Sequence, residues 1–151
     1  VDRLVVLCSS AHLPPDVWLE RAATVRADGI ASIAESIVDR WFTPGFSQAH
    51  PDVRRAHVDM VAATPSAGYA ACCDAIAAMD QRADLASIGA PTLAIAGADD
   101  PATPPEHLRE VAEGVPDGRL LVLDQAAHLA NVEQPQQVSA AIIEHLQGAP
   151  A

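Results

Sequence analysis

The chain has 151 residues, half of them hydrophobic, which is enough for one domain with a packed core and too apolar for a disordered segment. Nine basic residues against 20 acidic ones give a formal charge of −11, a surface that repels nucleic acid and anionic membranes and excludes both as natural partners. No apolar stretch approaches the ~20 residues of a membrane helix, the first residues do not read as a signal peptide, and an odd count of cysteines (Cys8, Cys72, Cys73) makes no disulfide framework; the expectation is a cytoplasmic protein with three buried thiols.

"VDRLVVLCSS" runs almost at once into a strand, as a chain does when it is entered in its middle. Leu4 to Cys8 is a short continuous apolar run, which predicts a buried parallel strand, and "SSAHLPP" ends it. From Asp16 to about Asp28, Trp18, Ala22 and Val25 share one helical face and Gly29 closes the segment. A second helix is expected from about Ile30 to Arg40, broken by Pro44 and Gly45 of "WFTPGF". Pro51 fits the first turn of a third, with Val53, His57, Met60 and Val61 as its inner face. Ser66 is placed to cap a fourth, "AGYAACCDAIAAMD".

After "SIGAP" the pattern changes. "TLAIAG", residues 92–97, predicts a second buried strand. Thr103, Pro104 and Glu106 then have the spacing of a capping box with proline at the first helical position, and Leu108, Val111, Ala112 and Val115 follow at helical intervals. "RLLVLD", residues 119–124, is the third strand. The last helix starts near Pro135, with Val138, Ile142 and Leu146 in register and Gly148 beyond its end; "QGAPA" reads as an ending or a linker. The order strand, four helices, strand, helix, strand, helix predicts an α/β domain with three parallel strands. Residues 13–84 read as a helical insertion covering one end of the sheet, with residues 1–12 and 85–151 expected to form the core.

Ligands of open α/β sheets bind beyond the carboxyl ends of the strands. Two polar signals stand there: Asp99 and Asp100 after the second strand, and His128 after the third. Adjacent parallel strands bring these loops together. A carboxylate accepting from imidazole Nδ1–H fixes the tautomer and leaves Nε2 as a general base. Either aspartate alone reads as a turn residue, and a single loop histidine as a surface one. The pair, in that order at two strand ends, is the more specific signal, and it matches the later part of the Ser, Asp, His order of α/β-hydrolases. Asp100 is preferred to Asp99 because the fourth residue of G-x-x-D after such a strand is the usual acid; Asp124 is expected only to shape its turn.

The segments "PTLAIAGADDPATPP", "LDQAAHLANVEQP", "RWFTPGF" and "YAACCDAIAAMD" resemble the bacterial 3-oxoadipate enol-lactonases, α/β-hydrolases of protocatechuate breakdown, over residues 3–147. The resemblance implies the C-terminal half of an α/β-hydrolase fold, with Asp100 as triad acid, His128 as base, residues 13–84 as the cap, and no cofactor. It implies a substrate bearing a carboxylate, for which Arg40 offers a two-pronged donor and Trp41 a pocket wall. The same two residues also read as a helix-end charge and core filling.

One part of the pattern is missing. No G-x-S-x-G nucleophile turn occurs in these residues. "GFSQA" keeps the chain order with Ser47, but Thr43-Pro44 precedes it in place of an apolar strand and no glycine follows; Ser9 and Ser10 lack the glycines altogether. The nucleophile and the oxyanion hole are therefore expected in an N-terminal half that acts as the partner of these residues. His50 and His57 have no carboxylate or thiolate at ligand spacing, so no metal site is expected. The expected activity is opening of 3-oxoadipate enol-lactone to 3-oxoadipate. The alternatives are another α/β-hydrolase (of the C–C hydrolase, dehalogenase or haloperoxidase type) and a non-catalytic half-domain that needs a partner chain.

Overall fold

A computed structural model describes residues 1–148, so the last three residues of "QGAPA" lie outside the described residues. Strand β1, Leu4–Leu7, leads into five α-helices: α1 Pro15–Asp28, α2 Ala34–Val38, α3 Pro44–Ala49, α4 Pro51–Ala62 and α5 Ser66–Ala77. Strand β2, Thr92–Gly97, helix α6, Pro105–Gly114, strand β3, Gly118–Leu123, the one-turn helix α7, Ala130–Glu133, and helix α8, Pro135–Gln147, complete the chain. The three strands are parallel in the order β1-β2-β3, with Leu4 opposite Thr92 and Thr92 opposite Gly118.

The central strand explains the layering. Alternate side chains of β2 point to opposite faces. Ala94 and Ala96 meet Leu108 and Ala112 of α6, while Leu93 and Ile95 meet Val138 of α8 with Leu123. All of β2 is buried, and small alanines on one face let α6 lie close. Strand β1, expected to be buried, is only half-buried, because it stands at the sheet edge with one neighbour. The helices between β1 and β2 build their own core around Ala22, Val25, Ile30, Val38, Phe42, Val61, Ala70 and Cys73. The base of that block is pinched shut where His12 bridges Asp80 and Gln81 N–H donates to the Ala11 carbonyl at 2.8 Å. No helix among the described residues is long and apolar enough to cross a membrane.

Several local expectations are corrected. A fifth helix, α3, begins where Pro44 and Gly45 suggested only a break: Thr43 caps it by accepting from Phe46 N–H, and Pro44 sits at its first position, where no amide donor is needed. The expected helix from Ile30 to Arg40 opens as a 3₁₀ turn, Ile30–Ile33, and ends at Val38. Ser66 does not cap α5; it lies inside the helix, and its hydroxyl accepts from Ile30 N–H at 3.1 Å, tying α5 to that turn. Met60 and Leu146 are exposed, and Val58 and His145 take the buried positions of α4 and α8. Cys8 and Cys73 are buried, with thiols that burial pushes up, but Cys72 is exposed.

Candidate active site

The acid and histidine loops leave β2 and β3 side by side. Ala98 N–H donates to the Leu123 carbonyl and Asp99 N–H to the Ala126 carbonyl, both at 2.9 Å, so the strand ladder runs on into the loops. Gly97 makes this approach possible. A Cβ there would strike the carbonyl oxygens of Ala126 and Ala127, so the glycine of the G-x-x-D turn is required by the histidine loop passing over it. Gln125 turns that loop in the left-handed region at φ 55°, and Cys8, at φ 43°, ends β1 in the same way beside it, its thiol donating to the Ala127 carbonyl at 3.7 Å.

Asp100 is 3% exposed and faces His128, whose Nδ1 lies 2.9 Å from Asp100 Oδ2. Oδ1 accepts from Ala102 N–H at 2.7 Å and Thr103 N–H at 3.1 Å, and Oδ2 also accepts from the Thr103 hydroxyl at 2.8 Å. Burial pushes the carboxyl up, but hydrogen bonds from His128 and Thr103 and the charge of His128 outweigh it and hold Asp100 below its ordinary value. An ionised carboxylate only accepts, so Nδ1 carries a proton and Nε2 is left as the basic nitrogen. His128 is about a quarter exposed, so its ring is reachable from outside the fold. Asp99, the other aspartate of the turn, is exposed, and so is Asp124.

Thr103 was not foreseen at the site. Its spacing to Pro104 and Glu106 suggested a helix cap, yet α6 starts at Pro105 without a side-chain cap. The hydroxyl serves Asp100 instead and lies 3.3 Å from His128 Nδ1. The readable signal was a threonine three positions after an aspartate in a turn, where side-chain oxygens bond nearby backbone and hydroxyl groups. Glu133 was missed as well: it accepts from Ala127 N–H, next to His128, at 2.5 Å.

Arg40 and Trp41 both reach this region from the helical block. Arg40 Nη2 donates to the Pro101 carbonyl at 2.7 Å, and the Trp41 carbonyl accepts from Leu129 N–H at 2.9 Å. Arg40 is exposed at the rim of an open cleft of about 280 Å³ between α1 and α2, while the Trp41 ring is half-buried, edge-on to His57 with centroids 6.2 Å apart. The three serines weighed from sequence lie elsewhere. Ser10 donates to the His12 carbonyl at 2.5 Å and lies 2.8 Å from His107 Nδ1, so its proton is committed and His107 must donate to it. Ser9 is exposed, and Ser47 is half-buried within α3. His50 and His57 sit in aromatic packing, against Phe46 and Phe42 respectively.

Parallel strands with helices on both faces, and a carboxylate and a histidine at consecutive strand ends, define an α/β-hydrolase architecture. Residues 39–135 match the family described as alpha/beta hydrolase fold, and the chain belongs to that family. Among curated proteins it is 40% identical over 142 residues to 3-oxoadipate enol-lactonase 2 of Acinetobacter baylyi, covering 93% of this chain and 53% of that protein. Among solved structures it matches the enol-lactonase from Burkholderia xenovorans with a TM-score of 0.93 at 31% identity, over 97% of this chain and 56% of that one. A hydrolase from Pseudomonas aeruginosa matches with a TM-score of 0.90 at 37% identity, over 98% and 56%. The chain thus spans about half the length of the relatives it matches.

Proposed function

We propose that these residues supply the acid and base of a serine hydrolase that opens 3-oxoadipate enol-lactone to 3-oxoadipate. The observation that carries the chemistry is the 2.9 Å contact from His128 Nδ1 to a buried, fully hydrogen-bonded Asp100 at neighbouring strand ends. The likeness to enol-lactonases over nearly the whole chain supports this choice of substrate.

In this reading the nucleophile is a serine of a G-x-S-x-G turn on a segment outside these residues. His128 Nε2 takes the serine proton as the hydroxyl attacks the lactone carbonyl, and Asp100 stabilises the imidazolium that forms. Collapse of the tetrahedral intermediate breaks the ring C–O bond. The enol oxygen leaves with the proton from His128 and the product arm tautomerises to the ketone. Water, deprotonated by the same His128, then cleaves the acyl-serine. Acid-base and nucleophilic chemistry complete the cycle without a cofactor. Arg40, tied to the acid loop at Pro101, binds the substrate carboxylate, since Pro101 takes only one of the five N–H donors of a guanidinium, and Trp41, whose carbonyl holds Leu129 beside His128, walls the substrate's side of the histidine loop.

The test is an assay of the chain joined to an upstream segment carrying the nucleophile, with enol-lactone and a simple ester as substrates. Lactone opening that Arg40→Met slows through KM supports the reading. Ester hydrolysis without lactone opening sinks the substrate.

A further inference from the structure

Glu133 closes the one-turn helix α7, and three neutral donors converge on its carboxylate. Oε1 accepts from the Thr43 N–H and the Thr43 hydroxyl, each at 2.8 Å, and Oε2 accepts from Ala127 N–H at 2.5 Å. The same Thr43 hydroxyl accepts from Phe46 N–H at 3.2 Å, where α3 begins. His128 is therefore held from both sides by the connection between α2 and α3. Leu129, after it, donates directly to the Trp41 carbonyl, and Ala127, before it, is held through Glu133 to Thr43. Arg40, from the same connection, holds the acid loop at Pro101.

Hydrogen bonds to a carboxylate are roughly twice as strong as neutral ones, so the clasp holds the histidine loop more firmly than neutral contacts would. A small rotation of the backbone at Ala127 would swing the His128 ring off Asp100 Oδ2 and away from the ~3 Å reach that a general base needs. We propose that Glu133 is a positioning residue for His128, which makes the register of the histidine loop depend on the seating of the α2–α3 connection. It touches neither the imidazole nor a substrate, and the inference rests on the reading of His128 as the base.

Two variants test it in the protein that joins these residues to the nucleophile segment. Glu133→Gln replaces one acceptor oxygen by an amide donor, and since Thr43 and Ala127 both donate, one arm of the clasp must face a donor. Thr43→Val keeps the Thr43 N–H but removes the hydroxyl, and it alters nothing on the histidine loop itself. The readout is solvent exchange of the His128 Nδ1 proton by NMR, which a merely structural loss elsewhere in the helical block would not move. Exchange should quicken about tenfold in E133Q, the effect of one lost charge-assisted hydrogen bond, and several-fold in T43V. Unchanged exchange in both overturns the proposal. A change in E133Q that T43V does not share overturns the link to the α2–α3 connection. If E133Q fails to fold, T43V alone decides. Absence of lactone opening with the proton responding as expected sinks only the substrate reading; lactone opening with an unresponsive proton sinks only this one.

Discussion

Asp100 keeps a negative charge where little water reaches it, and the four hydrogen bonds it accepts hold that charge in place. Its folded-state value is depressed, so by linkage its contribution to stability is present above the unfolded aspartate value of about 4 and is lost as pH falls through the lower folded value. Urea melts across pH 2 to 7, on the protein that joins these residues to a nucleophile-bearing segment, should show Asp100→Asn destabilised at neutral pH, with the gap to the parent closing below pH ~4. A gap that is constant with pH would mean that the charge at this position is not what the fold responds to. Thr103→Val removes one donor from the carboxylate and should cost about 1–2 kcal/mol at pH 7, measured the same way. The pairing itself was legible, because both residues stand just past the ends of neighbouring parallel strands, where such sheets bring polar groups together. Thr103 was not, because the spacing Thr103, Pro104, Glu106 satisfies a helix cap equally well, and only the nearness of Asp100 in space decides where the hydroxyl turns.

Elements were legible where one face of the pattern meets one packing surface. Leu108, Val111, Ala112 and Val115 of the α6 segment are all buried as their spacing predicts. Leu108→Ala, at a fully buried position between α6 and the sheet, should cost ~2–5 kcal/mol in denaturant melts. Legibility failed where a residue has a second use. Pro44 reads as a break but starts α3 once Thr43 caps it, and Ser66 reads as a cap but spends its hydroxyl on another segment. Met60 and Val58 stand on opposite sides of α4, and the packing of the neighbouring helices buries the side that carries Val58 and Val61. Gly97 shows the reverse case, a sequence glycine whose reason is visible only in three dimensions. Gly97→Ala should push the carbonyls of Ala126 and Ala127 away from β2, lowering stability by about 1–3 kcal/mol and shifting the NMR signals of His128. An alanine variant with unperturbed His128 signals would show that the loop does not depend on that close approach.

At the scale of the molecule, the sheet has a fully buried centre and a half-buried apolar edge. Leu4–Leu7 pairs with β2 on one side only, and an apolar edge strand is a template for other chains. The 151 residues by themselves should associate or aggregate on size-exclusion chromatography, and joining them to a segment that covers β1 should give a single species. A monodisperse, cooperatively folding isolated chain would contradict this. The strand order and the helical block were legible because strands and helices differ in period. The fastening of that block to the loops through Arg40, Trp41, Thr43 and Glu133 was not, since those contacts join residues far apart in sequence.

The central claim is that His128 is the base for a serine that these residues do not contain. The most direct measurement is enol-lactone turnover by three proteins: the isolated chain, the chain joined to a nucleophile-bearing segment, and that joined protein with His128→Ala. We expect no turnover by the first, turnover by the second, and a loss of about 10⁴–10⁶-fold in the third. Turnover by the isolated chain, or a loss of less than about tenfold on removing His128, a small effect on the scale of triad knockouts, would contradict it.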